Sequence, residues 1–256
     1  MTVAFSAIAA TTGTGVVFAT VVIVATVAAI YEETVAKAEA GKWGYRKFLQ
    51  HLCESEAEDR RQRRVARLVR DAGLPDGKGL ANLDEDLLPP KIRRQLPTLL
   101  DGGWVERAEN LLAFGLPGRG KSHFLAALAR EMVIRHGYTV LYTPTFKLVQ
   151  QLLVAKRELR LEALLKRLDR YAIVALDDIG YVQQEREEME VLFTFLAERY
   201  ERRSVMITSN LPFSKWDQIF KDPMTTMAAV DRVVHHATIL EFDGESVRAK
   251  EAKARS

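Results

Sequence analysis

A lysine, a serine and three glycines within eight residues are the first chemistry this chain offers. Gly115-Leu116-Pro117-Gly118-Arg119-Gly120-Lys121-Ser122, followed by His123, fits G-x-x-x-x-G-K-[ST], the pattern of a phosphate-binding loop. Glycines at 115, 118 and 120 admit backbone angles that other residues avoid, so successive N–H groups can turn inward around a phosphate. Lys121 brings a point charge for the β- and γ-phosphates of a nucleotide, and the Ser122 hydroxyl suits Mg²⁺. A helix starting here aims its positive end at the same anion. His123 closes the stretch assigned to ATP and is read as helix packing. The ordinary alternative is a glycine-rich turn before a helix.

Two further polar clusters follow apolar runs. Ile173-Val-Ala-Leu176 leads into Asp177 and Asp178, two carboxylates at a strand's C-terminal end, where ligands bind in parallel sheets. Asp177 is expected to hold Mg²⁺ through water, with Ser122 on the other side, and Asp178 to act as general base on the attacking water. The alternative is that both cap a following helix. Ser204-Val-Met-Ile-Thr-Ser-Asn210 repeats the arrangement. Asn210 is placed to hold the lytic water or touch the γ-phosphate, or else to serve as a turn residue before Pro212. In the run Arg60 to Arg70, Arg63, Arg64 and Arg67 are candidate phosphate contacts, because the neighbouring acids are too few to pair every arginine. A solvated helix with internal ion pairs is the other reading. His235 and His236 diverge by about 100° if both lie on a helix, which makes a poor metal pair.

These residues need a scaffold with strand ends at one edge. Apolar runs predict strands over 110–114, 139–142, 171–176, 204–208 and 238–242. Helical spacing predicts helices over 32–73, 91–100, 122–136, 146–168, 185–203 and 230–236. Strands alternating with helical crossovers imply an α/β fold: a five-stranded, mainly parallel sheet between helices, preceded by a small helical region. The bounds read as 1–31 apolar extension, 32–73 helical region, 74–90 linker, 91–246 nucleotide-binding domain and 247–256 tail. Residues 1–31 carry no charged side chain. A membrane anchor over 3–30, a signal peptide lacking its basic start, and a dispensable extension all remain open.

At 256 residues, 48% apolar and 28% charged, the chain can bury a core. Its net charge of +3 is too small to argue for nucleic acid by itself. The single cysteine, Cys53, excludes an internal disulfide and a multi-cysteine zinc site, and suits the cytoplasm.

Four stretches resemble the IstB-like transposition helper ATPases, close relatives of the DnaC-type helicase loaders within the AAA+ class. They are Glu109 to His123, Leu176-Asp-Asp-Ile-Gly-Tyr181, Ile207-Thr-Ser-Asn-Leu-Pro-Phe-Ser-Lys-Trp-Asp217 and Asp231-Arg-Val-Val-His-His236. The likeness spans about residues 32 to 246. It implies an ATP- and Mg²⁺-dependent ATPase that assembles as a homo-oligomer on DNA and helps a transposase engage its target, with hydrolysis as the reset. It also implies that Arg232 reaches the γ-phosphate of a neighbouring subunit. The bare-sequence alternative for Arg232 is a surface pair with Asp231. DNA contact then falls to Lys156, Arg157 and Arg160, between the second and third strands, where related loaders grip the DNA backbone. Lys156 and Arg160 share a helix face by their spacing of four. The absence of interleaved aromatics favours phosphate contact over stacking, and the other reading is a solvated face, because Glu158, Glu162 and Asp169 dilute the charge. Rival readings are a replicative helicase loader, with the helicase as partner, and a small-molecule P-loop kinase.

Overall fold

The computed structural model describes residues 14–179, 186–211, 216 and 231–243. Part of the apolar start, the stretch 180–185, most of 212–230 and the tail 247–256 therefore lie outside the described residues. The chain divides into two compact units at 64/65, a division that falls inside a helix.

In the first unit, α1 (Thr14–Ala40) runs without a break across the onset of charge at residue 32. It stops at Gly41-Lys42, where Lys42 takes a left-handed φ of 50°. Helix α2 (Tyr45–Asp71) begins after this turn. Tyr31 and Phe48 meet edge to face at 6.4 Å, and Arg60 bonds the buried Glu56 at 2.8 Å. Among the described residues no helix is long and apolar enough to cross a membrane.

The second unit is built on one sheet. Its strands are β1 (Asn110–Phe114), β2 (Val140–Pro144), β3 (Ile173–Ile179), β4 (Ser204–Ser209) and β5 (Ala237–Glu241). Their order is β2-β3-β4-β1-β5, and every pairing is parallel. Alternation along the strands sorts side chains onto two faces. Leu111, Ala113, Ile173, Ala175 and Met206 join a core with α3 (Pro90–Asp101), the short α4 (Gly103–Glu106) and α5 (Lys121–His136). Leu112, Phe114, Val174, Leu176, Val205 and Ile207 join a second core with α6 (Thr145–Arg157), α7 (Leu161–Leu168) and α8 (Arg186–Arg199). Strands covered on both faces explain the near-continuous apolar runs.

The helix expected over 146–168 is broken. Leu159 adopts φ 58°, Leu159 N–H bonds Lys156 O, and Arg160 N–H bonds Ala155 O at 2.7 Å. This is a left-handed helix end of the Schellman type, with leucine where glycine is usual. Lys156 therefore lies in the last turn of α6 and Arg160 beyond its end, as the N-cap of α7, and the shared face inferred from their spacing does not exist.

Candidate nucleotide site

Strand β1 delivers the chain into the glycine-rich loop, and α5 begins at Lys121 immediately after it. Gly115 has φ 151°, and a Cβ there would lie 2.4 Å from the Phe242 carbonyl, so only glycine lets β1 turn out beside β5. Gly120, at φ 83°, is the N-cap of α5. The Arg119 guanidinium donates to Phe242 O at 3.0 Å, which ties the loop to the end of β5.

Lys121 is buried. Its Nζ donates to Gly115 O at 2.6 Å, Leu116 O at 2.9 Å and Asn210 Oδ1 at 2.8 Å. The other half of the Asn210 carboxamide donates from Nδ2 to Asp178 Oδ1 at 2.9 Å. One side chain on β4's exit thus bridges the loop lysine and the second carboxylate.

Asp177 sits in a second cluster. Its Oδ1 accepts from Ser122 Oγ at 2.7 Å and Thr208 Oγ1 at 2.6 Å, and its Oδ2 accepts from the Tyr142 hydroxyl at 2.7 Å. Thr208 Oγ1 also accepts from Asp178 N–H at 2.7 Å. Thr145 Oγ1 holds the Asp177 carbonyl at 3.0 Å. Adjacent strand residues ordinarily point to opposite faces. Here Asp178 takes φ 63° and the β3–β4 register shifts between Leu176 and Ile179. This bulge, tolerable for aspartate, lets both carboxylates serve one site.

Burial, then the adjacent Asp177 charge, hold the Asp178 carboxyl above its ordinary range, while Lys121 pulls it down. Burial and Asp177 raise the Tyr142 phenol as well, so it stays a proton donor to the carboxylate. The loop amides, α5's N-terminus and Lys121 can bind a phosphate chain. The paired Ser122 hydroxyl and Asp177 carboxylate offer the hard oxygen donors that Mg²⁺ takes. Asp178 can polarise a water.

The structure brings Lys121, Ser122, Asp177, Asp178 and Asn210 together, as their spacing in the sequence implied. His123 turns aside, its Nε2 lying 3.3 Å from Gly79 O. Tyr142, Thr145 and Thr208 are site residues that sequence reasoning missed. Their only signal is register: Tyr142 pairs with Ala175 and Thr143 with Leu176, which puts the end of β2 beside Asp177.

Arg232 lies elsewhere. It is exposed on the helical turn 231–235 and makes no ion pair among the described residues, so the surface pair with Asp231 is absent. That turn is held at the start of β1, where Asn110 Nδ2 donates to Val233 O at 3.0 Å and Asn110 N–H to His236 O at 2.7 Å. The length of β1, roughly 16 Å, separates it from the chain's own phosphate loop.

The basic candidates carry acidic neighbours. Lys156 pairs with Glu190 at 2.9 Å, Arg157 with Glu187 at 3.7 Å, Arg160 with Glu158 at 3.5 Å and Arg63 with Asp59 at 2.6 Å. Arg64 and Arg67 are exposed on α2. His235 and His236 do not diverge as a continued helix would require. The helical turn ends at 235, and their rings meet at 4.3 Å.

A family model described as IstB-like ATP binding protein matches residues 16–255. The chain is 42% identical, over 228 residues, to an insertion sequence ATP-binding protein of Sinorhizobium fredii, covering 89% of this chain and 76% of the relative. It is 36% identical over 222 residues to the ATP-binding protein of insertion sequence IS21 from Pseudomonas aeruginosa, covering 87% and 83%. Among solved structures, the DnaC helicase loader is similar with a TM-score of 0.51 at 18% identity, covering 60% of this chain and 89% of that one. This last likeness concerns the fold, which is that of the P-loop AAA+ proteins.

Proposed function

The chain belongs to the IstB-like ATP-binding family and is an ATPase of the AAA+ class; we propose that it is the ATP-dependent helper of a transposase, assembling on target DNA with ATP and reset by hydrolysis. The observation that carries this reading is the separation within one chain of the Lys121, Ser122, Asp177, Asp178 and Asn210 cluster from an exposed Arg232 at the other end of β1. A second copy, set with the start of its β1 against the first copy's loop, supplies the missing charge. The insertion-sequence relatives support the transposase as partner.

Phosphate oxygens bind to the loop amides and compete with Gly115 O, Leu116 O and Asn210 Oδ1 for Lys121. Displacing Asn210 from Lys121 frees its carboxamide to position the attacking water with Asp178. The raised Asp178 carboxyl is the better proton acceptor for it. Ser122 and Asp177, 2.7 Å apart, fit Mg²⁺ carried with the nucleotide, which supplies neutralisation of phosphate charge. Tyr142 and Thr208 hold the Asp177 carboxylate in place. Arg232 of a neighbour stabilises the charge that develops on the transferred group.

Lys156, Arg157 and Arg160 are the proposed DNA contacts. Their partners are exposed or half-exposed acids, and such pairs contribute only about 0–1 kcal/mol, so DNA phosphates can replace them. The test is DNA binding against salt for the protein with all three charges reversed. ATP binding is expected to persist, while the salt slope falls by about 0.9 for each DNA phosphate no longer neutralised. A slope equal to the parent's would refute these contacts and direct attention to Arg63, Arg64 and Arg67.

A further inference from the structure

We propose that Glu201, His235 and His236 form a binding site for a zinc-type divalent ion, separate from the nucleotide site. One ligand atom from each lies within 4.8 Å of the other two, and all three side chains are exposed. His236 Nε2 is 3.3 Å from Glu201 Oε1. A tetrahedral ion takes imidazole nitrogens at about 2.0–2.1 Å and carboxylate oxygens at about 2.0–2.2 Å, which places neighbouring donors about 3.3 Å apart. The His236–Glu201 spacing already meets this. The remaining gap closes by rotation of exposed side chains, without backbone movement.

The ligands come from two segments, the turn between α8 and β4 and the end of the helical turn before β5. Their spacing is held from below. Asn110, buried at the start of β1, donates to Val233 O and to His236 O and accepts from Val205 N–H at 2.9 Å. A single residue thus fixes β4 and the histidine segment against each other. Glu201 takes a left-handed φ of 56°, and Arg202 and Arg203 N–H both bond Arg199 O at 3.0 Å, which sets the turn. The Tyr200 hydroxyl, 3.3 Å from His235 Nδ1, is an outer partner that orients that ring.

Two imidazoles and one carboxylate select zinc, copper, nickel or cobalt over magnesium and calcium, which prefer oxygen donors. Three protein ligands leave a fourth position for water or for a donor from another molecule. Bound there, the ion staples the α8–β4 turn to the segment that carries Arg232, at the sheet edge opposite the phosphate loop.

The experiment is calorimetric titration of Zn²⁺ into the full chain after chelator treatment, with Co²⁺ followed in parallel by visible absorption. The expected result is one equivalent per chain, unaffected by excess Mg²⁺, with a rise in melting temperature. The triple variant Glu201→Gln, His235→Ala, His236→Ala replaces only exposed side chains. It is expected to lose that equivalent, by more than the about 10–100-fold that loss of an outer partner costs. Absence of a stoichiometric site in the parent, or equal binding by the variant, overturns the proposal. Binding that persists in the variant but disappears with Cys53→Ser would move the metal to the exposed thiol, and overturns it too.

Discussion

The two ends of the sheet hold polar groups in opposite ways. At the C-terminal ends of β1, β3 and β4, beside bonds to the backbone, a connected set of side chains bonds to one another: Lys121 to Asn210, Asn210 to Asp178, and Ser122, Thr208 and Tyr142 to Asp177. At the N-terminal ends, buried side chains bond to backbone. Asn110 bridges Val233 O and Val205 N–H. Arg199, 2% exposed, donates to the carbonyls of Leu168, Tyr171, Ala172 and Ser204. Side-chain partners can be traded for phosphate, metal or water at the cost of a rotamer. Backbone partners cannot be traded without moving a strand. One end is therefore built for exchange and the other for holding position, so substitutions should affect turnover at the first and stability at the second.

The largest effect on turnover at the exchange end is expected from Asp178→Asn. ATP binding should persist, because the asparagine oxygen can still accept from Asn210, while kcat falls about 10²–10⁴-fold. Stability should move the other way. A carboxyl whose folded pKa is raised binds its proton more tightly in the native state. Stability therefore falls as pH rises from the ordinary aspartate value through the raised one, and the cost persists at neutral pH. The variant should melt no lower than the parent at pH 7, and the difference should vanish at acid pH. A thermal scan across pH with a single-turnover assay checks both. A variant that melts well below the parent at pH 7 would place Asp178 in the scaffold instead.

At the holding end, Arg199→Ala takes a donor from four carbonyls, of which Leu168 O and Ala172 O keep a backbone partner, and should cost about 1–3 kcal/mol in urea unfolding for each carbonyl left without one. Burial already pushes this guanidinium down to about 10, so the site holds a charge at a cost that its carbonyl acceptors and the nearby Asp169 charge offset. The ATP affinity of the folded fraction should match the parent's. Loss of nucleotide affinity at unchanged stability would reverse the assignment of the two ends.

A smaller effect is expected from Tyr142→Phe, which removes one donor to Asp177 and leaves the ring in the core. The Mg²⁺ concentration needed for tight nucleotide binding should rise about 10–100-fold, as for other outer partners of metal ligands. Nucleotide binding without Mg²⁺ should not change. Fluorescent-nucleotide titrations at several Mg²⁺ concentrations separate the two, and an unchanged Mg²⁺ requirement would contradict the role.

The contrast also explains what could be read in advance. Gly115 to Ser122, Asp177, Asp178 and Asn210 were legible because each follows an apolar strand directly, so a local pattern places it. Tyr142 was not, and Thr208 was legible only as a polar group at a strand end and not as a partner of Asp177, because the two reach Asp177 from strands 35 and 31 residues away and only register aligns them. Arg199 reads as an ordinary charge at the end of an amphipathic helix, and nothing local shows that four carbonyls converge on it. The break at Leu159 was hidden because no glycine marks the left-handed residue. The approach of His235 to His236 was hidden because it depends on the helix ending one residue earlier than its pattern suggests.

Both ends meet in the proposed assembly, where the Arg232 segment of one copy completes the exchange end of the next. Mixing Arg232→Ala protein with Lys121→Ala protein tests this directly. Each variant alone should hydrolyse ATP poorly, the first for want of transition-state charge and the second for want of bound nucleotide. A mixture contains interfaces that pair an intact loop with an intact arginine. An arginine supplied in this way accelerates hydrolysis about 10³–10⁵-fold, so even a minority of such interfaces should raise the rate well above either variant, more so at higher protein concentration and with DNA present. A mixture no faster than the average of its two components, at concentrations where the parent is fully active, would contradict the account.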